Sequence, residues 1–345
     1  MPRSGAILPP LSSKDRTEPY APGKATSRAA SLHPIPPSTL SLCLRAMLEW
    51  IEYVLVVAVA RLLGCLPRAA ARLVAGLVVF AVYCCFGRLR RVGVRNLQLA
   101  FPEIPSPTRT KILRGVYRHL GWQLVEFCRM TRYTPENTRS WLRTDGLERY
   151  LAAKARGQGV LIVTGHLGAW ELSSFYHSLM GHPMGMVIRR LDNRRLDAWV
   201  NRIRCLHGNH VFHKDDFGRG LLASMRAGAP VGILMDTNMT PPQGAFVQFF
   251  GIPACTATGL AHVARKTGAA VLPGFMLWEP AEHRYVLHFA PEIEIPHTEN
   301  IAQDILEGTQ RCTAALESWI RRYPDQWLWI HRRWKTRPPG EPPLY

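Results

Sequence analysis

Between about residues 105 and 335, short apolar runs alternate with longer segments of helical periodicity, and that alternation constrains the fold more than any other feature. Residues 159–164 predict a buried strand, and 184–188, 231–235, 245–250, 269–276 and 284–290 predict others. Ile112, Val116, Leu120, Leu124 and Phe127 recur at helical spacing within 108–130. Further helices are expected near 169–180, 193–206, 217–227, 256–267 and 300–322. Strands alternating with helices imply an α/β fold: a single central, mostly parallel sheet flanked by helices.

Ahead of this domain lie two other regions. Residues 1–46 hold eight prolines and many serines, and predict a disordered extension. Residues 47–95 form a membrane-associated helical segment, 96–338 the α/β domain and 339–345 a tail. The apolar runs at 53–60 and 73–86 are each too short for a confident span. Three readings fit: a pair of buried helices, one tilted membrane helix, or an amphipathic hairpin in the interface. Arg88, Arg90, Arg91 and Arg95 follow at once, which suits an anionic leaflet and favours the membrane readings.

Charge narrows the partner. The 345 residues carry 43 Lys+Arg against 25 Asp+Glu, a net charge of +18. Nucleic acid, a membrane surface and an acidic carrier would all answer that charge. The stretch 323–337 mixes aromatics with cations and suits base stacking, a membrane-interface belt or an anionic headgroup site. No nucleic-acid module accompanies it, so nucleic acid ranks second. The eight cysteines are scattered without a CxxC, as expected of reduced thiols.

In an open α/β sheet, reactive groups gather beyond the carboxyl ends of strands. His166 lies two residues past the first strand, between Gly165 and Gly168, and Glu171 follows in the first turn of the next helix. A carboxylate there would fix the imidazole tautomer and stabilise its cation, making His166 a general base. The spacing itself has no weight. With 13 His and 25 acids in 345 residues, about one such pair arises by chance, and His210/Asp215 is a second. The strand–Gly–His–Gly–helix context carries the assignment. Arg189 and Asp236 close two other apolar strands and converge on the same sheet edge. Each reads as a ligand for substrate or as a surface ion pair, Arg189 being suited to clamp a phosphate. His207, His210 and His213, with Lys214, Asp215 and Asp216, fit no common zinc spacing.

Several motifs in order resemble the late (lauroyl/myristoyl-type) acyltransferases of lipid A biosynthesis, within the glycerolipid acyltransferase superfamily. They are Val94-Arg-Asn-Leu97 with Ala100-Phe-Pro-Glu103, then Thr164-Gly-His-x4-Glu171, then Val187-Ile-Arg189 with Asn193. Asp236, the run 246–259 and Gln326-Trp-Leu-Trp-Ile-His-Arg-Arg-Trp-Lys-Thr-Arg-Pro338 complete the set. The resemblance implies an enzyme on the cytoplasmic face of the inner membrane. It would move a fatty acyl group from an acyl carrier protein thioester to a hydroxyl of a phosphorylated glycolipid. It further implies His166 as base and Glu171 as its orienting partner, with Arg189, Asp236, Gly168, Asn96, Arg332 and Arg333 at the substrate. Asp236 matches a family aspartate often followed by Gln, where this chain has Thr237. The Asn that precedes the catalytic His in glycerol-phosphate acyltransferases is Gly165 here, which disfavours a simple lysophosphatidate enzyme. A phosphatidylinositol mannoside or a lysophospholipid remains an alternative acceptor, and a non-catalytic basic binding protein is the rival class. An activated thioester requires no metal or other cofactor.

Overall fold

The computed structural model describes residues 39–213 and 217–345. Most of the expected extension (1–38) and the acidic end of the three-histidine cluster (214–216) lie outside the described residues. Three helices come first: α1 (Thr39–Cys65), α2 (Arg68–Cys85) and α3 (Gly87–Ala100). The α/β region follows with α4 (Ser106–Arg129), α5 (Pro135–Thr138), β1 (Leu142–Asp145), α6 (Leu147–Ala155), β2 (Val160–Thr164) and α7 (Trp170–Leu179). Next come β3 (Gly185–Ile188), α8 (Arg194–Arg204), β4 (His210–His213), α9 (Phe217–Arg226) and β5 (Pro230–Leu234). The chain ends through β6 (Gly244–Phe249), β7 (Ile252–Ala257), α10 (Gly259–Thr267), β8 (Ala270–Glu279), β9 (Arg284–Phe289) and α11 (Ile301–Arg322).

Seven strands build the sheet in the order β1-β9-β8-β2-β5-β3-β4. Strands β8, β2, β5, β3 and β4 run parallel; β9 turns back antiparallel to β8 and carries β1 parallel to itself. The mostly parallel sheet expected from the alternation is therefore present, with an antiparallel turn at one edge. Central β2 is Val-Leu-Ile-Val with both faces covered, which is why it reads as an unbroken apolar run.

Three local expectations are corrected. Residues 245–250 are a strand, but β6 pairs with β7 in a separate two-stranded hairpin and not in the main sheet. Residues 256–257 belong to β7, so the helix expected from 256 begins at Gly259. The third is the 323–337 stretch, expected at the surface. Trp327, Trp329 and Trp334 are fully buried against Leu97, Leu167, Phe249 and Leu316. Their rings fill the core and present no belt to a bilayer and no stack to a base.

Helix α2 rests along α4. Gly121 of α4 lies against Ala75 and Val79, and Glu126, fully buried, accepts from Arg72 (2.9 Å) and from the Tyr133 hydroxyl (2.5 Å). A buried carboxylate left alone costs several kcal/mol, so these partners fix the register between the helices. Burial, with the Glu126 charge, pushes the Tyr133 phenol far above its usual range. Asn193 caps α8, and its side-chain amide donates to the Glu49 carbonyl (2.7 Å) and the Glu52 carboxylate (2.9 Å), tying α1 to the sheet domain.

Candidate active site

Strand β2 ends at Thr164, and the loop 165–169 then crosses the carboxyl edge of the sheet. The C-terminal segment pins this loop by backbone bonds. Leu328 donates to the His166 carbonyl (3.0 Å), and Gly168 donates to the Gln326 carbonyl (2.9 Å). Ala169 donates to the Met276 carbonyl (2.8 Å). Gly168 has φ +66°, and a Cβ there would sit 2.0 Å from the Met276 oxygen. Only glycine fits that turn.

Asp236 follows β5, the strand beside β2, and is completely buried. Its Oδ2 accepts from the His166 backbone N–H (2.7 Å) and from the Trp327 indole N–H (2.8 Å). Its Oδ1 lies 2.9 Å from His166 Nδ1. Burial opposes the carboxylate, but the His166 and His331 charges and these donors outweigh it. They hold Asp236 well below the usual carboxylate range. Burial likewise opposes the imidazolium, yet Asp236, with a smaller contribution from Glu171, raises His166 above the ordinary histidine value. With Asp236 ionised, neutral His166 carries its proton on Nδ1. The lone pair on Nε2 is then free to take a proton.

The sequence placed Glu171 in that orienting position. The structure instead binds Glu171 to Arg204, at the end of α8, through two hydrogen bonds of 2.9 and 2.5 Å. Glu171 sits in the first turn of α7, where its charge is favoured by the helix dipole and reaches His166 without bonding it. Asp236 takes the imidazole because it arrives on the adjacent strand with its carboxylate buried under the loop. Nothing local signalled Arg204, which stands 33 residues from Glu171 in the chain, or Trp327, 91 residues from Asp236.

The remaining expected substrate contacts divide. Asn96 is buried, donates to the Trp329 and His331 carbonyls (2.6 Å each) and accepts from the Tyr345 hydroxyl (2.5 Å). Arg333 is buried over the Phe249 ring and donates to the Cys255 carbonyl (2.9 Å) and Thr256 Oγ1 (2.5 Å). Burial pulls its pKa down to about 10. Both residues fasten the C-terminal segment, and neither reaches solvent to meet a substrate. The Gly168 N–H is likewise taken by Gln326 and is not a donor for a developing oxyanion. Arg189 stands 85 % exposed beyond β3 with Asp192 at 4.0 Å, and it makes no bond to His166 or Asp236. Arg332 is exposed in a surface cleft with Arg88, Arg91 and Arg95.

A narrow apolar cavity of about 60 Å³ lies beneath α7, and its lining includes Trp170, whose ring centroid is 5.0 Å from that of His166. Thr164, Trp170, Glu171 and Arg204 stand at its active-site end, and Met184, Met186, Leu287 and Phe289 line it further in. Gly232 of β5 and Gly274 of β8 lack side chains on this sheet face, which lets Met184 and Ile162 pack over them in the cavity wall. Added Cβ atoms would meet Met184 Cε at 2.8 Å and Ile162 Cγ2 at 2.6 Å. Among the described residues no cluster of His, Cys, Asp and Glu is arranged to hold a metal.

A buried carboxylate, an oriented histidine and an apolar cavity at one sheet edge suit proton abstraction beside an apolar group. Comparison with known proteins supplies the family. The family model for bacterial lipid A biosynthesis acyltransferases matches residues 39–336. The chain is 30% identical over 260 residues to a lipid A biosynthesis palmitoleoyltransferase of Escherichia coli (strain K12), covering 75% of this chain and 82% of that protein. It is 27% identical over 277 residues to the lipid A biosynthesis lauroyltransferase of the same strain, covering 78% and 89%. The chain therefore belongs to the bacterial lipid A biosynthesis acyltransferase family and is, by that membership, an O-acyltransferase.

Proposed function

We propose that this protein transfers a fatty acyl group from an acyl carrier protein thioester to a hydroxyl of a lipid A-type glycolipid, on the cytoplasmic face of the inner membrane. The observation that carries the mechanism is His166 held by buried Asp236 and packed edge-on against Trp170, which lines the apolar cavity. His166 Nε2 removes the acceptor hydroxyl proton as that oxygen attacks the thioester carbonyl. The first N–H groups of α7 have no helical partner and point toward this edge, so they stabilise the oxyanion in place of Gly168. Collapse of the tetrahedral intermediate breaks the C–S bond, and the imidazolium returns its proton to the departing thiolate. Glu171 and Arg204 act as one ion pair at the cavity mouth, with the Glu171 charge supporting the imidazolium. The acyl chain enters beneath α7, where the flexible Met184 and Met186 side chains turn aside to admit it. Arg189 and the Arg88, Arg91, Arg95 and Arg332 cleft offer cations to acceptor phosphates and the acidic carrier.

The base must be neutral to act, and Asp236 stabilises its protonated form. The kcat/KM for transfer is therefore expected to fall as pH drops through a value above 6.5, where an unperturbed histidine titrates. A pH profile with its acidic limb well below that value would contradict the pairing.

Attachment to the membrane through α1 and α2 is supported by their apolar faces. Helix α2 is long and apolar enough to cross a bilayer, yet one face is committed to α4. Its other face exposes Leu73, Leu77 and Phe80 at 63–68%, and α1 likewise exposes Leu55 and Leu62. Such a contiguous apolar surface suits insertion into one leaflet better than a span. Changing Leu73, Leu77 and Phe80 together to Glu is expected to move the protein from the membrane pellet to the supernatant while leaving its thermal unfolding intact. Retention in the pellet would count against interfacial attachment.

Mass spectrometry of host lipid A with and without this protein tests the function as a whole. Loss of one secondary acyl chain is expected, and an unchanged lipid A with an altered phospholipid would point to another acceptor.

A further inference from the structure

The far end of the cavity beneath α7 is not apolar. His177 is 3% exposed and lines it. It lies six residues beyond Glu171, about 9 Å further along the helix axis. Neither ring nitrogen meets a side-chain partner, and only the His182 main chain comes within reach of the ring. The Tyr150 hydroxyl and His182 Nδ1 are buried and unpartnered in the same way. The three rings meet one another: Tyr150 stands edge-on to His177 with centroids 4.5 Å apart, and His182 lies 5.5 Å from Tyr150 and 5.3 Å from His177. Burial first, then the neighbouring His182 and Lys154, lowers the His177 pKa to about 3, so the imidazole is neutral and needs one acceptor and one donor.

Buried polar atoms of this kind are almost always satisfied in folded proteins, and here four gather at one place. A small polar guest such as water satisfies them; a hydrocarbon terminus does not. A chain short enough to stop above His177 leaves room for that guest. A longer chain displaces it and buries the His177 imidazole against hydrocarbon, with the Tyr150 phenol behind it, and the unmade hydrogen bonds count against that chain.

Building on the acyl-transfer reading above, we propose that His177, backed by the Tyr150 and His182 rings, forms a polar floor to the acyl cavity and is a specificity-determining residue limiting the length of the chain transferred. The floor rejects long chains by leaving its own hydrogen bonds unmade, and steric blockage is not required. An apolar residue of similar reach removes the penalty and extends the cavity's apolar lining to its end.

The test measures kcat/KM for the full-length protein with a series of saturated acyl carrier thioesters from decanoyl to palmitoyl, for wild type, His177→Leu and Tyr150→Phe. Wild type is expected to lose activity steeply beyond one chain length. His177→Leu is expected to raise the long-to-short ratio by about tenfold, the scale of one buried polar group no longer left unpaired. Tyr150→Phe keeps the ring and removes only the hydroxyl, so it should shift the ratio in the same direction by less. It also serves as the readout where the Leu variant unfolds. Variants with wild-type melting behaviour and an unchanged chain-length profile would overturn the polar floor while leaving the acyltransferase reading intact. Failure of wild type to transfer any of these chains would sink that reading, and the floor with it.

Discussion

Asp236→Asn is expected to lower kcat for acyl transfer by about 10³–10⁴-fold with little change in stability. The reason is the tautomer. Two donors, the His166 backbone N–H and the Trp327 indole N–H, converge on Oδ2. An asparagine keeps its carbonyl oxygen there to accept both, which turns its NH2 group toward His166 Nδ1. An amide that donates to Nδ1 forces the imidazole proton onto Nε2, and the nitrogen facing the acceptor hydroxyl then has no lone pair. The side-chain volume and the two donor contacts persist, so the loop 165–169 stays in place. Steady-state kinetics beside a thermal unfolding curve checks this. A variant retaining more than a tenth of wild-type kcat would remove Asp236 from the mechanism.

His166→Ala is expected to reduce transfer by at least the about 10²–10⁴-fold attributed to a positioned general base. It leaves Asp236 facing only the backbone and indole donors, and membrane attachment through α1 and α2 should be unaffected. The two substitutions act on one unit, so the double variant should be little slower than His166→Ala alone. Additive losses would mean that Asp236 and His166 serve separate steps. A stable acyl ester or thioester on a side chain of the protein would refute direct transfer.

The sheet and the position of His166 were legible in the sequence because both rest on local signals. A doubly covered parallel strand is continuous apolar sequence, and a glycine-flanked polar residue just past it marks the functional edge. Asp236 was visible in the same way, as the ionisable end of a second apolar strand. Its bond to His166 was not, since strand order is a tertiary fact and β5 reaches β2 only after three crossovers. The nearer Glu171 looked the better partner because it opens the helix after the glycine-flanked histidine, and Arg204 claims it from a different helix. The C-terminal aromatics misled for a related reason. Tryptophans interleaved with arginines resemble a surface belt, but Asn96, Thr256 and backbone carbonyls supply the buried polar contacts that let Trp329 and Arg333 turn inward. Strands β1, β4 and β7 are four to six residues long and carry Arg, His or Pro, too little pattern for a strand to declare itself.

Direct transfer through His166 is tested by a single-turnover reaction of the purified protein with an isotopically labelled acyl-acyl carrier protein and an under-acylated lipid A precursor, read by mass spectrometry of the lipid. Label is expected on an acceptor hydroxyl in wild type, with none above background for His166→Ala. Equal labelling by the two proteins, or no labelled lipid from either, would contradict it.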